Sequence, residues 1–295
     1  MRSWRLWLIG LVIFIGSARG YGAAPSVAPP DWTAPIAPFQ ITDHVYYVGS
    51  SALASYLIVT PAGNILINSS LESSPALIRK SMEKLGFHYS DTRILLISHA
   101  HWDHDAGSAA VIRATHARYM VMDADVPTVA SGGAKDFAYP DDRYPPAPVD
   151  RILHDGDRVQ LGGMVLVAHK TPGHTRGCTT WTLRDADQGK IVNVVIVGSW
   201  YVNPGFRLVA HFGKPASYPG IAADYRKTFA ILKSLPCDVF LGAHGAYFDM
   251  DAKLARAQAG AGRSVWIDPQ GYQKAVADRE KDFEAELKKQ QSTAR

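Results

Sequence analysis

Five of the chain's eleven histidines fall in three short loops: His99, His101 and His104 in SHAHWDHDAG, His174 in TPGHTRGC, and His244 in GAHG. His99 and His101 lie two apart at the end of an apolar run and so point the same way, while the turn through Trp102 swings Asp103 and His104 to an adjacent side. Imidazole nitrogen suits Zn²⁺, and three such ligands leave a fourth tetrahedral position open for water. His99, His101 and His174 would make one site of this kind. Asp103, His104 and His244 would make a second, of mixed oxygen and nitrogen donors. Two dications at the roughly 3.5–4 Å spacing of two-metal hydrolases lower the pKa of bound water toward neutrality, and Asp103 would hold that nucleophile in line. The chemistry to expect is hydrolysis with two Zn²⁺ per chain, Asp103 serving as both ligand and catalytic group. A closed structural zinc site and a single zinc are the alternatives, although structural sites usually draw on Cys. His44, His88, His116, His154, His169 and His211 stand alone and read as ordinary surface or core residues.

Each histidine loop follows a strand-like run. RILLIS at 93–98 is continuously apolar and fits a strand buried on both faces. Before it, Val45–Val48, Ser55–Thr60 and Asn64–Asn68 are short and bounded by Gly and Pro, as in an antiparallel meander. A helix over Ser74–Leu85 follows, with a Pro near its start and Gly86 as its stop. A helix near Ser108–Thr115 and a strand at Ala117–Met122 complete the first half. The second half repeats the arrangement: strands near 158–160 and 164–169, the loop at 171–178, a strand at 191–197, a helix at 221–235, and a strand at 238–241 that ends in His244. Two central sheets with helices outside accommodate this order. A solvated helix with alternating charges is expected from Gln270 to about Gln290.

The composition, 47% apolar and 20% charged, is that of a globular chain. Its +4 charge comes largely from Arg2, Arg5 and Arg19; without them 28 basic residues face 27 acidic ones, so charge gives no support to a nucleic-acid partner. Residues 1–20 read as a signal peptide: a basic start, an apolar run from Leu6 to Ile15 and small residues before Tyr21. The run falls short of the ~20 residues a membrane span needs, so no stable membrane insertion is expected once the leader is removed. Residues 21–40, rich in Pro, form an extended arm, and 41–290 form the catalytic domain.

HxHxDH after a buried strand, then a Gly-His loop, then a late Gly-x-His, resembles the metallo-β-lactamase superfamily over about residues 40–265. The resemblance implies an α/β four-layer αβ/βα sandwich with two mostly antiparallel sheets. Most hydrolases of this fold place a metal-bridging Asp after the strand matching Ile191–Val197, where this chain runs Val197-Gly198-Ser199-Trp200. Ser199 in that place, with His99 intact, is most similar to class B subclass 3 metallo-β-lactamases. The resemblance implies a secreted or periplasmic zinc enzyme of antibiotic resistance that opens penicillins, cephalosporins and carbapenems by direct attack of metal-bound hydroxide. A monomer is expected. Ser199 and Asn203 become candidate contacts to the substrate carboxylate, with Tyr201 a weaker one. Many relatives carry a Tyr after the Pro-Gly pair, where this chain has Phe206, which cannot donate a hydrogen bond. A lactonase, esterase or thioesterase of the same fold, or a non-catalytic zinc-binding module, is the alternative. Cys178 and Cys237, the only two cysteines, read as free and buried.

Overall fold

The computed structural model describes residues 28–210 and 213–293; the expected leader, the start of the arm and His211 lie outside them. The first sheet holds seven strands in chain order: β1 (Phe39–Gln40), β2 (Val45–Tyr47), β3 (Tyr56–Thr60), β4 (Gly63–Ile67), β5 (Thr92–Leu96), β6 (Arg118–Met122) and β7 (Arg151–Leu153). β1 to β4 form an antiparallel meander, and β4 to β7 pair in parallel. Parallel neighbours require crossovers. These are supplied by α1 (Ser74–Lys84) between β4 and β5, by α2 (Trp102–Asp105) and α3 (Ser108–Thr115) between β5 and β6, and by a segment containing α4 (Val126–Ala130) before β7.

The second sheet has β8 (Arg158–Leu161), β9 (Met164–Lys170), β10 (Thr179–Asp187), β11 (Lys190–Val197) and β12 (Val239–Gly242), with α5 (Ile221–Ser234) carrying the chain from β11 to its parallel neighbour β12. α6 (Met250–Arg256) and the long α7 (Pro269–Thr293) complete the chain. Alternation along the strands sorts the core into layers. Ile65, Ile67, Ile94 and Leu96 face Leu166, Trp181 and Leu183 between the sheets. Leu66 and Leu95 face the other way, onto Ile78 and Met82 of α1 and Val111 of α3. Phe229 of α5 and Tyr272 and Phe283 of α7 cover the second sheet. This is the four-layer αβ/βα sandwich, with helices outside both sheets. No helix among the described residues is long and apolar enough to cross a membrane.

The sequence reading placed no strand at β7 and no helix at α4 or α6, and two further elements differ from it for physical reasons. β1 lies inside the segment read as an arm, because Phe39 stacks between Tyr47 and Trp266 at ring distances of 4.9 and 5.0 Å. β10, at nine residues the longest strand, was not expected; its charged second half, Arg184-Asp185-Ala186-Asp187, looks like a turn. Those acids are buried in pairs: Asp185 binds His44 at 2.6 Å and Thr42 at 2.5 Å, and Asp187 meets Arg263 at 3.0 Å. Compensated charge therefore extends the strand where an apolar run would normally do so.

The sheets are also joined by polar bonds. The Tyr56 hydroxyl donates to the Gly242 carbonyl at 2.7 Å, and Trp181 Nε1 donates to the Ile97 carbonyl at 3.1 Å. Tyr56 is fully buried, so Tyr56→Phe removes the hydroxyl donor of the Gly242 carbonyl. The expected loss is about 1–3 kcal/mol of unfolding free energy, read from urea denaturation, with the far-UV spectrum unchanged.

Candidate metal centre

β9, β11 and β12 run parallel to one another, since β10 pairs antiparallel with both β9 and β11. Their C-terminal ends therefore open on one edge of the second sheet, beside the end of β5 from the first. His99 follows β5, and its Nδ1 lies 3.1 Å from Ser98 Oγ. His101, in extended conformation, caps the N-terminus of α2, and this short helix carries Asp103 and His104 round to a second side. The segment read as a turn is thus one helical turn, with the same outcome for the side chains. His174 sits between β9 and β10, its Nδ1 donating to the Tyr201 carbonyl at 2.9 Å. Gly173 beside it, at φ 135°, has the Tyr225 ring where a Cβ would stand. His244 follows β12.

The six side chains come together as two triads. The rings of His99, His101 and His174 form a near-equilateral triangle with centroids 4.7–4.8 Å apart. Asp103 Oδ2 lies 3.1 Å from His104 Nε2 and 3.4 Å from His244 Nε2, and the two Nε2 atoms are 3.1 Å apart. Tetrahedral zinc with bonds of roughly 2.0–2.1 Å separates its ligands by about 3.3 Å, so this second set has the spacing of a metal's ligands. His99 borders both triads, with its ring 4.3 Å from that of His104, and His99, Asp103 and His104 also lie within 4.8 Å of one another. The shorter distances favour His244 over His99 as the third member of the second set.

Electrostatics prepares these donors. Burial pulls His99 and His104 below the ordinary imidazole range, helped by neighbouring imidazoles, and takes His174 down to about 3. They are therefore neutral and able to donate lone pairs. Asp103 is buried, which opposes ionisation, yet His104 and His244 hold its carboxyl well below the usual range. His101 alone is shifted upward, because Asp136 outweighs the effect of burial.

Residues that the spacing of the sequence did not mark hold the loops in place. Buried Asp125 accepts from Ala100 N at 3.0 Å, Thr175 Oγ1 at 2.8 Å and Gly177 N at 2.8 Å, tying the loop of His101 to that of His174. Asn68, in left-handed conformation at φ 66°, accepts from Ser98 N at 2.8 Å and donates to the Ala54 carbonyl. Asp136 Oδ2 lies 3.3 Å from His101 Nε2. No local pattern distinguishes these residues from ordinary turn formers.

A cleft of about 500 Å³ opens over the two triads. Its walls come from Trp32, Trp102, Tyr139, Tyr201, Asn203 and Tyr247, with Asp142 at the side. Trp32, from the expected arm, packs 5.6 Å from Trp102 and 5.9 Å from His244. A slightly larger depression, about 580 Å³ and bordered by Arg158, His169 and Arg184, lies on the second sheet and holds none of the six donors. Asn203 lines the cleft and donates to the Tyr139 hydroxyl at 3.0 Å. Ser199 does not line it: it is 1% exposed, and its Oγ is 3.1 Å from the hydroxyl of Tyr247, which does. Phe206 is buried against Phe137 and His174. Cys178 is free and buried with Sγ against the Ser199 carbonyl, away from the triads, and Cys237 is free but only half-buried. The segment 201–208 is held from behind. Tyr225 donates to the Tyr201 carbonyl at 2.6 Å, and Gln290 of α7 donates to the Phe206 carbonyl at 2.8 Å and accepts from Leu208 N at 2.7 Å.

Residues 52–244 match the model of the metallo-beta-lactamase superfamily. The chain belongs to the metallo-β-lactamase superfamily. Among solved structures it is similar to the native FEZ-1 metallo-β-lactamase of Legionella gormanii, at 50% identity over 88% of this chain and 98% of that one, with a TM-score of 0.84. It is also similar to BJP-1, a subclass B3 enzyme of Bradyrhizobium japonicum (36% identity, 89% and 98% covered, TM-score 0.81), and to GOB-18 of Elizabethkingia meningoseptica (32%, 91% and 98%, 0.82). A superfamily member with these His-rich groups is a metal-binding protein, and zinc is the usual metal of the family.

Asp125→Ala leaves three buried donors without their acceptor. The expected cost is at least about 3 kcal/mol of stability, measured by thermal and urea unfolding of the metal-depleted protein, together with weaker zinc binding measured by chelator competition.

Proposed function

We propose that this chain is a zinc hydrolase, exported from the cytoplasm, that opens the β-lactam ring of penicillins, cephalosporins and carbapenems. The observation that carries this reading is the pair of adjoining triads, His99–His101–His174 and Asp103–His104–His244, at the floor of an open cleft. Similarity at 50% identity to a metallo-β-lactamase supports the substrate class. The end of β11 supports it too, because the residues there, Gly198 and Ser199, supply no carboxylate to bridge the metals. Two zinc ions are proposed, one per triad, and they supply Lewis acidity and a water acidic enough to serve as nucleophile near neutral pH.

The chain's own residues do the positioning. Asp103, ionised and facing the cleft, accepts a hydrogen bond from the attacking water and fixes its line of approach. No Ser, Thr or Cys is among the described lining residues, so the protein offers no hydroxyl or thiol nucleophile of the usual covalent kind. Nor is any Lys or Arg among the described lining residues. The substrate carboxylate is therefore held by neutral donors: the Asn203 amide, fixed by its bond to Tyr139, and the hydroxyl of Tyr201. Ser199 contributes through Tyr247, whose hydroxyl it contacts, and not by direct contact. Phe206, buried against Phe137 and His174, offers an oxyanion no hydrogen bond, and metal held by the His99–His101–His174 triad would supply the opposing charge.

The purified mature protein should hydrolyse a carbapenem and a cephalosporin with added zinc and lose that turnover with a chelator. Asp103→Ala should remove turnover by several orders of magnitude. Asn203→Ala should raise KM about tenfold with kcat little changed, the size of one hydrogen bond to a charged group. Bound zinc without turnover of either drug would overturn the substrate assignment and favour a lactone or thioester.

A further inference from the structure

The depression of about 580 Å³ on the second sheet owes its place to the order of the layers. Leu166 and Ala168 of β9 face the core between the sheets, so Val165 and Val167 point the other way, to the outer side. There Phe229 and Tyr272 cover β11 and β12, the Tyr272 ring lying 5.4 Å from that of Phe240. The first half of β9, remote from the metal centre, opens on the depression instead, and both valines are only half-buried. Leu235 and Pro236, just after α5, add apolar surface on the far side.

Arg158 of β8 and Arg184 of β10 stand on either side of the valines. Arg158 pairs with Val167, and Val167 pairs with Thr182, two residues before Arg184. Strand spacing and rise therefore put the two arginine Cα atoms about 12 Å apart across β9, a gap that their extended side chains close from both ends. Both side chains are exposed, and neither has a carboxylate or hydrogen-bond partner among the described residues. Arg151, close by in the chain, is by contrast 3.4 Å from Asp157. No Asp or Glu is among the described lining residues, and Asp238, beyond the wall, already accepts from Asn193 N and Nδ2 at 2.8 Å each.

We propose that this depression is a second binding site, for a single-chain amphiphile with an oxyanion head. Its hydrocarbon body lies on Val165, Val167 and Leu235, and its head sits between Arg158 and Arg184. Unpaired arginines alone would attract any small anion, and valines alone any hydrocarbon. Both on one floor select a molecule that carries both. The guanidinium fork matches carboxylate and phosphate oxygens alike, and its weak hydration suits it to a place beside apolar surface. The volume is that of a small-molecule pocket, and its floor lies below the rim, which favours a free monomer over a flat bilayer. The site uses neither the metals nor the β-lactam, so it stands apart from the proposed function.

The probe is decanoate, titrated into the zinc-loaded, ¹⁵N-labelled protein and followed by amide shifts and calorimetry. The expected result is saturable binding that shifts Val165, Val167, Arg184 and Asn193. Arg158→Gln and Arg184→Gln should each weaken it about tenfold, the size of one hydrogen bond to a charged group, and the double variant about a hundredfold, with far-UV spectrum and zinc content unchanged. Hexanoate, four methylenes shorter and held on one side only, should bind about tenfold more weakly, and decanol, which lacks the charge, should lose a similar factor. Decyl phosphate should match decanoate within a few-fold. Shifts confined to cleft residues such as Tyr139 and Asn203 would mean a carboxylate on the metals and would overturn the proposal. So would acetate binding as tightly as decanoate, decanoate binding unchanged in the double variant, or association only with vesicles of anionic phospholipid.

Discussion

Six metal-seeking groups crowd into one end of this molecule, and most of what surrounds them answers the problem of keeping them there. His104 and His244 bring two nitrogens to 3.1 Å, and three more imidazoles stand with ring centres less than 5 Å apart. Without a cation, only a shared proton can hold the facing nitrogens of His104 and His244 together, the buried Nδ1 of His104 has no partner, and folding works against that cost. The scaffold responds by over-determining the loops. One Asp125 carboxylate takes three donors from two loops, and Asn68 bonds to two further segments. Because a ligand that binds only the native state stabilises it by mass action, a thousandfold excess of metal over its dissociation constant contributes about 4 kcal/mol. Metal supply and fold stability are one quantity in such a protein.

The division of labour between strands and loops follows from the same constraint. Strands buried on both faces, such as β5 with Leu95 toward the helices and Ile94 and Leu96 toward the other sheet, form a rigid frame from which donors project only at the ends. The cleft walls have no such uniform origin. Trp32 enters from the N-terminal side, Tyr139 from the long connection before β7, Tyr201 and Asn203 from the end of β11, and Tyr247 from the end of β12.

This difference explains what could be read in the sequence. Most strand runs, the helices α1, α3, α5 and α7, and the six side chains that the fold brings together were legible, because those side chains are rare residue types at close spacing and most of the strands are apolar runs. β10 was hidden because hydrogen bonds bury Asp185 and an ion pair to Arg263 buries Asp187 where hydrophobicity gives no signal. Asp125 and Asp136 were hidden because an Asp that accepts backbone N–H groups looks like any turn residue until the partners, some of them 50 positions away, are known. Ser199 was legible as a position but not in its direction, since a one-residue change of facing at the end of a strand decides whether a hydroxyl meets the cleft or meets Tyr247. Trp32 lay in a Pro-rich stretch that reads as a tether, and only packing against Trp102 and His244 reveals it as part of a wall.

The amide of Gln290, far along α7, grips the backbone of Phe206 and Leu208, while Trp32 packs against Trp102 and His244 on another part of the cleft wall. The cleft therefore draws its walls and their backing from segments distant in sequence from the loops that carry the donors. Disruption of the far end of α7 would leave every metal donor in place and still remove the backing of the segment 201–208. Metal retention is thus a poor proxy for a finished cleft, since a protein disturbed at the far end of α7 keeps the full set of donors while the segment that faces the substrate loses its support.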